Sequence, residues 1–209
     1  VELSSYQLEI TPSLAPDIAV ILNISPDHIE RHGTLENYIA AKAIAISNVN
    51  AGGLVALGKS ALLQSIRPTD KNCRLQIIDP NTAPASTAHN PALIGNHNKQ
   101  NAAAAQIICT ELGLNQSQID AGIASFNGLP HRTEIVAKLK LDSSEVTLVN
   151  DSKATNGMAA TQALMAYEAI YWCAGGVAKD DGLAPCLNAL ENVKHAYFYG
   201  QSAAEFKNQ

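Results

Sequence analysis

The densest polar chemistry of the sequence lies in residues 150–156, which read Asn-Asp-Ser-Lys-Ala-Thr-Asn. They follow Leu148 and Val149, an aliphatic pair typical of a strand end, and precede a helical pattern over residues 157–165. In open α/β sheets, ligands bind at the carboxyl ends of strands, where loops converge and helix N-termini point outward. A carboxylate, an ammonium and two hydroxyls at such a place could hold a nucleotide phosphate and its metal. The simpler alternative is a polar turn in which Asp151 or Ser152 caps the next helix.

Strands and helices alternate along the chain, and this alternation predicts an α/β fold with parallel sheets. The apolar run over residues 17–23 is typical of a parallel strand buried on both faces. Residues 34–48 form an amphipathic helical pattern with Thr34 as its N-cap. Residues 79–91 are rich in Pro, Asn, Ser and Thr, which indicates a surface excursion, and Gly113 can end an Ala-rich helix over residues 102–112. We also expect strands at 53–57, 75–78, 134–139, 145–149, 170–174 and 196–199, and helices at 61–66, 116–126, 159–167 and 183–190.

A domain boundary is predicted at residues 128–132, which read Gly-Leu-Pro-His-Arg. Gly and Pro punctuate this stretch, and paired strands follow it. We therefore predict two partial domains, residues 1–128 and 129–209, each a mostly parallel sheet with flanking helices. The sequence begins without Met, as though inside a strand, and ends in an early helix, so we expect an internal piece of a longer protein.

Composition excludes several classes of protein. Of 209 residues, 46% are hydrophobic and 16% charged, which is typical of a folded globular chain. The net charge of −5, without a basic block, argues against nucleic acid as a partner. The sequence has no apolar run long enough to cross a membrane. Its four cysteines form no paired spacing, so we expect reduced core residues in a cytoplasmic protein.

Six short motifs, taken together and in this order, resemble those of the Mur ligase family. They comprise residues 2–8 (Glu-Leu-Ser-Ser-Tyr-Gln-Leu), Asn23-x4-His28, Tyr38-x3-Lys42, Gly95-x-His97-Asn98-x2-Asn101, residues 128–132 and residues 150–156. Each motif is weak alone, whereas the set spans nearly the whole chain. Within the family, the residues of the first and last motifs are similar to those of the branch that joins D-glutamate to UDP-N-acetylmuramoyl-L-alanine.

The resemblance implies a three-domain enzyme with a UDP-binding domain, a central P-loop-type ATPase domain and a Rossmann-like C-terminal domain. This chain would hold the later part of the central domain and the first part of the C-terminal one. The family cradles ATP phosphates with a loop similar to Gly-x4-Gly-Lys-[Ser/Thr]. We expect this chain to lack such a loop, and we expect the piece alone to be inactive.

The family's chemistry is peptide-bond formation through an acyl phosphate, with ATP and Mg²⁺ at two sites. By resemblance, Glu2 and His28 are magnesium ligands, and Lys42 is the carbamylated lysine that binds the second metal. Carbamylation needs a neutral amine, which partly buried lysines can provide. Glu2 as a surface carboxylate and Lys42 as a solvated helix lysine are the alternatives. His28 and His32 lie four residues apart, a zinc spacing on a helix, but we expect a helix only from Thr34 and His32 at the surface.

The remaining site residues also follow from the resemblance. Asn98 and Asn101 match nucleotide-contacting residues, and Arg132 and Asp151 match residues that contact the ATP ribose and phosphates from across the domain junction. The residues expected near the two other substrates are Lys153 and Thr155 for the incoming amino acid, and Ser4 and Gln7 for the muramoyl group. Lys153 is, with Lys42 and His28, a candidate catalytic residue. Where the family often reads Gly-Gly-Asp-x-Lys, residues 175–179 read Gly-Gly-Val-Ala-Lys; Lys179 could pair with a substrate carboxylate, while the role of position 177 stays open.

Taken as a whole, these patterns predict an ATP-dependent, ADP-forming ligase of cytoplasmic peptidoglycan precursor synthesis. Its expected partners are small molecules, namely ATP, D-glutamate and UDP-N-acetylmuramoyl-L-alanine, and we expect a monomer without nucleic-acid or membrane partners. Two alternatives stay open. One is another ligase of the superfamily, such as a folylpolyglutamate synthase; the other is a non-catalytic binding module.

Overall fold

The computed structural model describes residues 1–70, 72–142, 144–179 and 182–209. The chain separates into two compact units. The first comprises Val1–Ala85 with Lys99–Asp120, and the second comprises Ser86–Asn98 with Ala121–Gln209. The predicted division into domains at residues 128 and 129 stays a prediction.

The first unit is built on a parallel three-stranded sheet with β2 at its centre. The strands are β1 (Ile18–Ile21), β2 (Leu54–Gly58) and β3 (Arg74–Ile78), and they lie in the order β1-β2-β3. Every residue of β2 is buried. This is the environment that a continuous apolar run predicts, because helices cover both faces of a parallel sheet.

Helices flank this sheet on both faces. Those of the first 85 residues are α1 (Ser5–Glu9), α2 (Ile29–His32), α3 (Leu35–Ser47) and α4 (Ala61–Gln64). From α3, Tyr38 and Ile46 pack in one core cluster with Val55 and Leu57 of β2. On the other face, Ala103, Ala104 and Ile107 of α5 (Asn96–Glu111) pack with Leu54, Ala56 and Ile78. Successive side chains of β2 thus point to opposite faces of the sheet and contribute to both core clusters.

Helix α3 begins as predicted. The Thr34 side chain accepts a hydrogen bond from the backbone N–H of Asn37, 3.2 Å away, and so satisfies one of the free amides of the first turn. The Asn37 side chain does not reach back to Thr34. It donates instead to the carbonyl oxygen of His32, at 2.9 Å, and links α3 to the end of α2.

The second unit contains one antiparallel hairpin and one parallel strand pair. The hairpin joins β4 (Glu134–Leu141) to β5 (Ser144–Asn150), and the parallel pair joins β6 (Ile170–Gly175) to β7 (Val193–Tyr199). Its helices include α7 (Gly157–Leu164) and α8 (Ala203–Asn208), while α6 (Gln116–Ser125) runs from one unit into the other. Leu164, Cys186 and Ala189 form its small core. The predicted α/β class is confirmed, with the paired strands after residue 132 as an antiparallel element.

Several local expectations were wrong. Residues 1–4 lie outside any strand and lead directly into α1. The predicted helix over 183–190 is a 3-10 helix, Ala184–Asn192, with Pro185 in its first turn. The polar stretch 79–91, predicted as a surface excursion, has mostly exposed or half-buried residues, and it contains or begins three short 3-10 helices, Pro80–Thr82, Ala85–His89 and Pro91–Leu93. Asn90 is buried there because its side chain donates to the carbonyl oxygens of Ile123 and Phe126, at 2.7 and 2.8 Å.

The cysteines are all free, as predicted, but only Cys186 is a core residue. Cys73 and Cys109 are half-buried and Cys173 is exposed. Within the described ranges, no helix combines the length and the apolar character needed to cross a bilayer.

The expectation that the Gly-x4-Gly-Lys-Ser pattern is absent needs a correction, because residues 53–60 carry those letters. In the structure Leu54–Gly58 of this stretch form the central strand β2, whose backbone pairs with β1 and β3, so these amides are not free to line a phosphate-binding loop. A Cβ on Gly58 would collide with the Leu22 carbonyl oxygen, so packing alone accounts for this glycine. Lys59 lies at the surface, 3.7 Å from Asp79, and the Ser60 side chain caps α4.

Candidate functional site

One polar pocket of about 430 Å³ in the first unit brings together five of the residues predicted from the sequence. The predicted residues in its lining are Glu2, Ser4, Gln7, His28 and Lys42, and the others are Leu3, Ser5, Asp27 and Tyr38. They come from the chain start with α1, from the loop after β1, and from α3. Residues far apart in sequence therefore share one cavity.

Ser4 and Gln7 are tied to each other by the capping box of α1. The Ser4 hydroxyl accepts from the Gln7 backbone N–H at 3.2 Å, and the Gln7 side-chain carbonyl accepts from the Ser4 N–H at 2.8 Å. This arrangement gives both residues a structural reason for their types. Their predicted contact with a substrate stays a prediction.

His28 has an unusual backbone conformation at the N-cap of α2. Its φ of 54° is in the left-handed region, which only a few per cent of non-glycine residues adopt. The backbone N–H of His28 donates to Asp27 Oδ1 at 3.0 Å, and the His28 ring nitrogens lie 3.7 Å from carboxylate oxygens of Asp27 and Glu30. Such strained positions cluster at functional sites, so the geometry adds weight to His28 as a site residue.

Lys42 lies one turn after Tyr38 on α3, and its ammonium nitrogen is 5.2 Å from the centre of the Tyr38 ring. Burial lowers the pKa of Lys42, although the charges of Asp27 and Glu2 oppose this shift. The Tyr38 pKa is raised by burial and, to a lesser extent, by Asp27. Lys42 is thus half-buried, not the fully solvated helix lysine of the alternative interpretation.

Four aromatic rings form a closed cluster beside the pocket. Tyr6 contacts His28 and His32, with ring centres 5.3 and 5.7 Å apart, and Tyr38 contacts the same two histidines at 6.4 and 5.3 Å. His32 is buried, so the expectation that it lies at the surface was wrong. The cause is α2, a single helical turn before Thr34 that the sequence pattern did not indicate and that turns His32 inward.

The donor types in the pocket fit a hard divalent cation. The carboxylates of Glu2 and Asp27 are the ligands that Mg²⁺ prefers, whereas the His28 imidazole is a softer donor. Among the described residues, however, no three His, Cys, Asp or Glu side chains converge as a metal cluster.

In the second unit, Asp151 is the centre of a smaller polar group. Its Oδ1 accepts from the Thr133 N–H at 2.8 Å. Burial raises the pKa of Asp151, and the Thr133 hydrogen bond, His97 and Arg132 oppose this shift. Burial likewise lowers the His97 pKa and raises that of Tyr167, with Asp151 close enough to influence both.

Many polar groups of the loop around Asp151 form hydrogen bonds that fix the backbone of the loop itself. Asn150 Oδ1 accepts from the Ser152 N–H at 3.1 Å, and the Lys153 N–H donates to the His131 carbonyl at 3.0 Å. Asn156 caps α7 by accepting from the Ala159 N–H at 2.8 Å, so the alternative in which Asp151 or Ser152 caps this helix was wrong. The side chains of Lys153 and Thr155 are exposed.

The other predicted residues are more dispersed. Asn98 lies in the first turn of α5, where its side-chain amide donates to the Ile94 carbonyl at 2.9 Å, and Asn101 is exposed three residues later. Lys179 is exposed after the end of β6. The roles predicted for all three stay predictions.

Sequence reasoning missed Asp27, which faces Lys42 in the first pocket, and two side chains of the second unit. Asp27 precedes His28 directly, and this neighbouring carboxylate could have indicated it. Nδ1 of His97 and the hydroxyl of Tyr167 are buried, with no hydrogen-bond partner in the part of the chain that the structure describes. Nothing in the sequence around Tyr167 indicates this environment.

Comparison with known proteins gives consistent matches. Residues 1–67 match the Mur ligase middle domain. The chain is 40% identical to the UDP-N-acetylmuramoylalanine–D-glutamate ligase of Dinoroseobacter shibae over 98% of its own length and 49% of that protein. It is 39% identical to the ligase of the same name from Sphingopyxis alaskensis over 98% of its length and 48% of the relative. The chain therefore spans about half the length of these curated relatives.

Solved structures with the same fold include two ligases titled MurF. One, from Thermotoga maritima in complex with ADP, has a TM-score of 0.71 at 16% identity, with 98% of this chain and 53% of that chain covered. The other, from Acinetobacter baumannii, has a TM-score of 0.61 at 17% identity, with 96% and 53% covered. At such identities the likeness concerns the fold alone.

Proposed function

This chain is a relative of the Mur ligases, and on that premise we propose that its full-length protein joins D-glutamate to UDP-N-acetylmuramoyl-L-alanine. The reaction would convert ATP to ADP and phosphate. The observation that carries the proposal is the 40% identity, over 98% of the chain, to a ligase named for this reaction. The pocket that gathers five motif residues supports it.

The proposed reaction has two steps. A carboxylate oxygen of the alanyl group attacks the γ-phosphorus of ATP, the bond to the bridging oxygen breaks, and ADP leaves. The neutral amine of D-glutamate then attacks the acyl carbon, loses a proton, and phosphate leaves as the amide forms. Both steps bring anions together, so cationic groups must neutralise the developing charge.

In the first unit, Glu2, His28 and a carbamylated Lys42 would hold Mg²⁺. When bound, the metal ions would neutralise phosphate oxygens. The depressed pKa of Lys42 supports carbamylation, because carbon dioxide adds only to the neutral amine. Asp27 would compete for the Lys42 ammonium until the carbamate forms. Ser4 and Gln7, fixed by their capping box, would present polar groups to the muramoyl substrate.

We propose that the nucleotide is contacted by four side chains, those of Asn98, Asn101, Arg132 and Asp151. The side-chain amides can read an adenine edge or a ribose without adding charge, and Asp151 keeps its Oδ2 for a ribose hydroxyl while Oδ1 accepts from Thr133. The exposed side chains of Lys153, Thr155 and Lys179 would receive D-glutamate, with the two lysines facing its carboxylates. Lys153 would also act in catalysis by neutralising charge on the acyl phosphate.

The proposal includes the setting of the reaction. We propose a cytoplasmic monomer that makes peptidoglycan precursors and so serves cell-wall growth, cell shape and division. We also propose that the chain alone, without the remainder of the full-length protein, has no ligase activity. Formation of the amide product from ATP, D-glutamate and UDP-N-acetylmuramoyl-L-alanine by the chain alone would contradict that last point.

The test is phosphate release from ATP by the full-length protein with UDP-N-acetylmuramoyl-L-alanine present. The amino acids offered would be D-glutamate, L-glutamate, L-alanine, L-lysine and meso-diaminopimelate. We expect stimulation by D-glutamate alone. Stimulation by another amino acid would refute the substrate, and release that is the same without the muramoyl substrate would favour another ligase of the superfamily. No release with any of them would favour a binding module.

A further inference from the structure

We infer that His32 is a positioning residue for the pocket formed by Glu2, Ser4, Gln7, His28 and Lys42. Its buried imidazole holds α1 in place and, through two tyrosine rings, holds His28 and Lys42. The inference concerns how the proposed site is built, and its activity readout rests on the proposed function.

His32 anchors α1 through both of its ring nitrogens. The His32 side chain is 1% exposed, and its Nε2 lies 3.0 Å from the Ser5 hydroxyl oxygen, within hydrogen-bond distance. Its Nδ1 lies 3.6 Å from Glu9 Oε1. Ser5 and Glu9 are the first and last residues of α1, so one imidazole faces both ends of this helix.

Helix α1 depends on contacts with the rest of the unit for its stability. A helix of five residues does not hold itself in water, because its nucleation is unfavourable and few intrahelical bonds follow. Only Ser5 and Leu8 of α1 are buried. The polar anchor at Ser5 therefore carries much of the placement of Ser4 and Gln7, which flank it in the pocket lining.

His32 is also connected, through aromatic rings, to the opposite wall of the pocket. The His32 ring contacts Tyr6 and Tyr38, and these two rings contact His28. Tyr38 also lies 5.2 Å below the ammonium of Lys42. Replacing His32 by a side chain without its shape and polarity would loosen α1 and both tyrosines together.

The same atoms form a Ser-His-Glu arrangement, but they do not form a hydrolytic site. Ser5 is 2% exposed, so its hydroxyl cannot reach a substrate carbonyl. Its contacts instead join two structural elements, α1 and α2. A positioning role is the one that fits this burial.

The experiment measures Mn²⁺ binding by the full-length protein from the loss of the free Mn²⁺ EPR signal, without added nucleotide because ADP itself complexes Mn²⁺. The Mg²⁺ concentration for half-maximal phosphate release is measured in parallel. For His32→Leu we expect both constants to weaken by about tenfold, the low end of what residues behind metal ligands contribute. His32→Gln, whose amide can still meet the Ser5 hydroxyl, should recover most of the affinity. Ser5→Ala, which removes only that hydroxyl, should weaken both by a smaller factor.

The matched control is Leu63→Ala, a fully buried core residue of the same unit away from the pocket lining. It should lower the unfolding temperature at least as much as His32→Leu while both metal constants stay at the wild-type value. Unchanged Mn²⁺ binding in both His32→Leu and Ser5→Ala would overturn the inference, as would an equal loss in Leu63→Ala or no Mn²⁺ binding by the wild type. A wild type that binds Mn²⁺, and loses it with His32→Leu, but releases no phosphate with D-glutamate would overturn the proposed function and leave the inference standing.

Discussion

The pocket around Lys42 and the loop around Asp151 are both polar, but they are built in opposite ways. In the pocket, side chains from three distant segments meet, and aromatic rings surround the charged groups. In the loop, neighbours in sequence bond to each other's backbone, as Asn150 does with the Ser152 N–H and Asn156 does with the Ala159 N–H. The pocket is organised by packing and the loop by local hydrogen bonds.

Mutations should have different effects on activity and stability in the pocket and in the loop. In the pocket, the Lys42 ammonium lies 5.2 Å from the centre of the Tyr38 ring and is influenced by the charges of Asp27 and Glu2, and it makes no hydrogen bond to the described part of the chain. In the loop, Asp151 uses one oxygen to hold Thr133, so the same side chain is a structural acceptor and a candidate ligand. We therefore expect mutations in the pocket to lower activity with little change in stability, and mutations in the loop to change both.

The largest expected effect is on activity in the pocket. In the full-length protein, Lys42→Ala should reduce phosphate release on the order of 10³-fold, because losing one preorganised charge at a reacting centre typically has an effect of this size. Stability should change little, since Lys42 is half-buried and its side chain has no hydrogen bond to the backbone of the residues that the structure describes. Added acetate should restore part of the activity by supplying the missing carboxylate. Rates and unfolding curves, with and without acetate, check this.

The matched control for this prediction is Lys59→Ala. Lys59 is the lysine of the Gly-x4-Gly-Lys-Ser letters, yet it is exposed and faces Asp79. Its replacement should leave activity within about twofold of wild type, because exposed ion pairs contribute little. Full activity in Lys42→Ala would remove the carbamate role, and a large loss in Lys59→Ala would show that those letters matter despite their place in a strand.

The second prediction tests the coupling in the loop. Asp151→Asn keeps an oxygen for the Thr133 N–H but removes a half-buried charge. Because the folded pKa of Asp151 is raised above 3.8, the folded state binds a proton more tightly than the unfolded state does. Ionisation of Asp151 therefore lowers stability as pH rises from 3.8 through the folded pKa.

It follows that Asp151→Asn should be slightly more stable than wild type at pH 7, by about 0.5 kcal/mol, and equal to it near the acid end of that window. Its activity should nevertheless fall on the order of 10²-fold, as removal of a catalytic-site hydrogen-bonding group typically does. Asp151→Ala, which also removes the acceptor, should lose about 1 kcal/mol of stability. Urea unfolding at pH 7 and near pH 3.8 measures the stability difference between Asp151→Asn and wild type. An Asp151→Asn variant that is destabilised at pH 7 would contradict the prediction.

Elements set by one continuous pattern could be predicted from the sequence. The apolar run over residues 17–23 gave β1, and Thr34 with the apolar stripe behind it gave the start of α3. In both cases the signal is local, because the apolar run and the capping hydroxyl each lie within the few residues that form the element. The motif spacing also led to the residues of the first pocket, although it did not indicate how they meet.

What the sequence did not reveal depends on long-range contacts. His32 is buried because Ser5 and Glu9, more than twenty residues earlier, meet its ring, and no periodicity records this. The burial of Asn90 rests likewise on carbonyl groups of Ile123 and Phe126. Residues 53–60 carry the Gly-x4-Gly-Lys-Ser letters, yet the glycine at position 58 is explained by the close approach of the Leu22 carbonyl oxygen, a contact that the sequence does not show.

The smallest expected effect concerns the cap of α7 and sharpens the description of the loop. Asn156→Ala should lower the free energy of unfolding by about 1 kcal/mol, because the Ala159 N–H loses its acceptor. Asn156→Asp should stay within a few tenths of a kcal/mol of wild type, since Asp is an equally good N-cap. The control is Ser152→Ala at the rejected cap position, where the exposed side chain can be removed with almost no loss. Equal losses for Ala at both positions would mean that the loop is not held by one cap, and the contrast between a packed pocket and a locally bonded loop would then need revision.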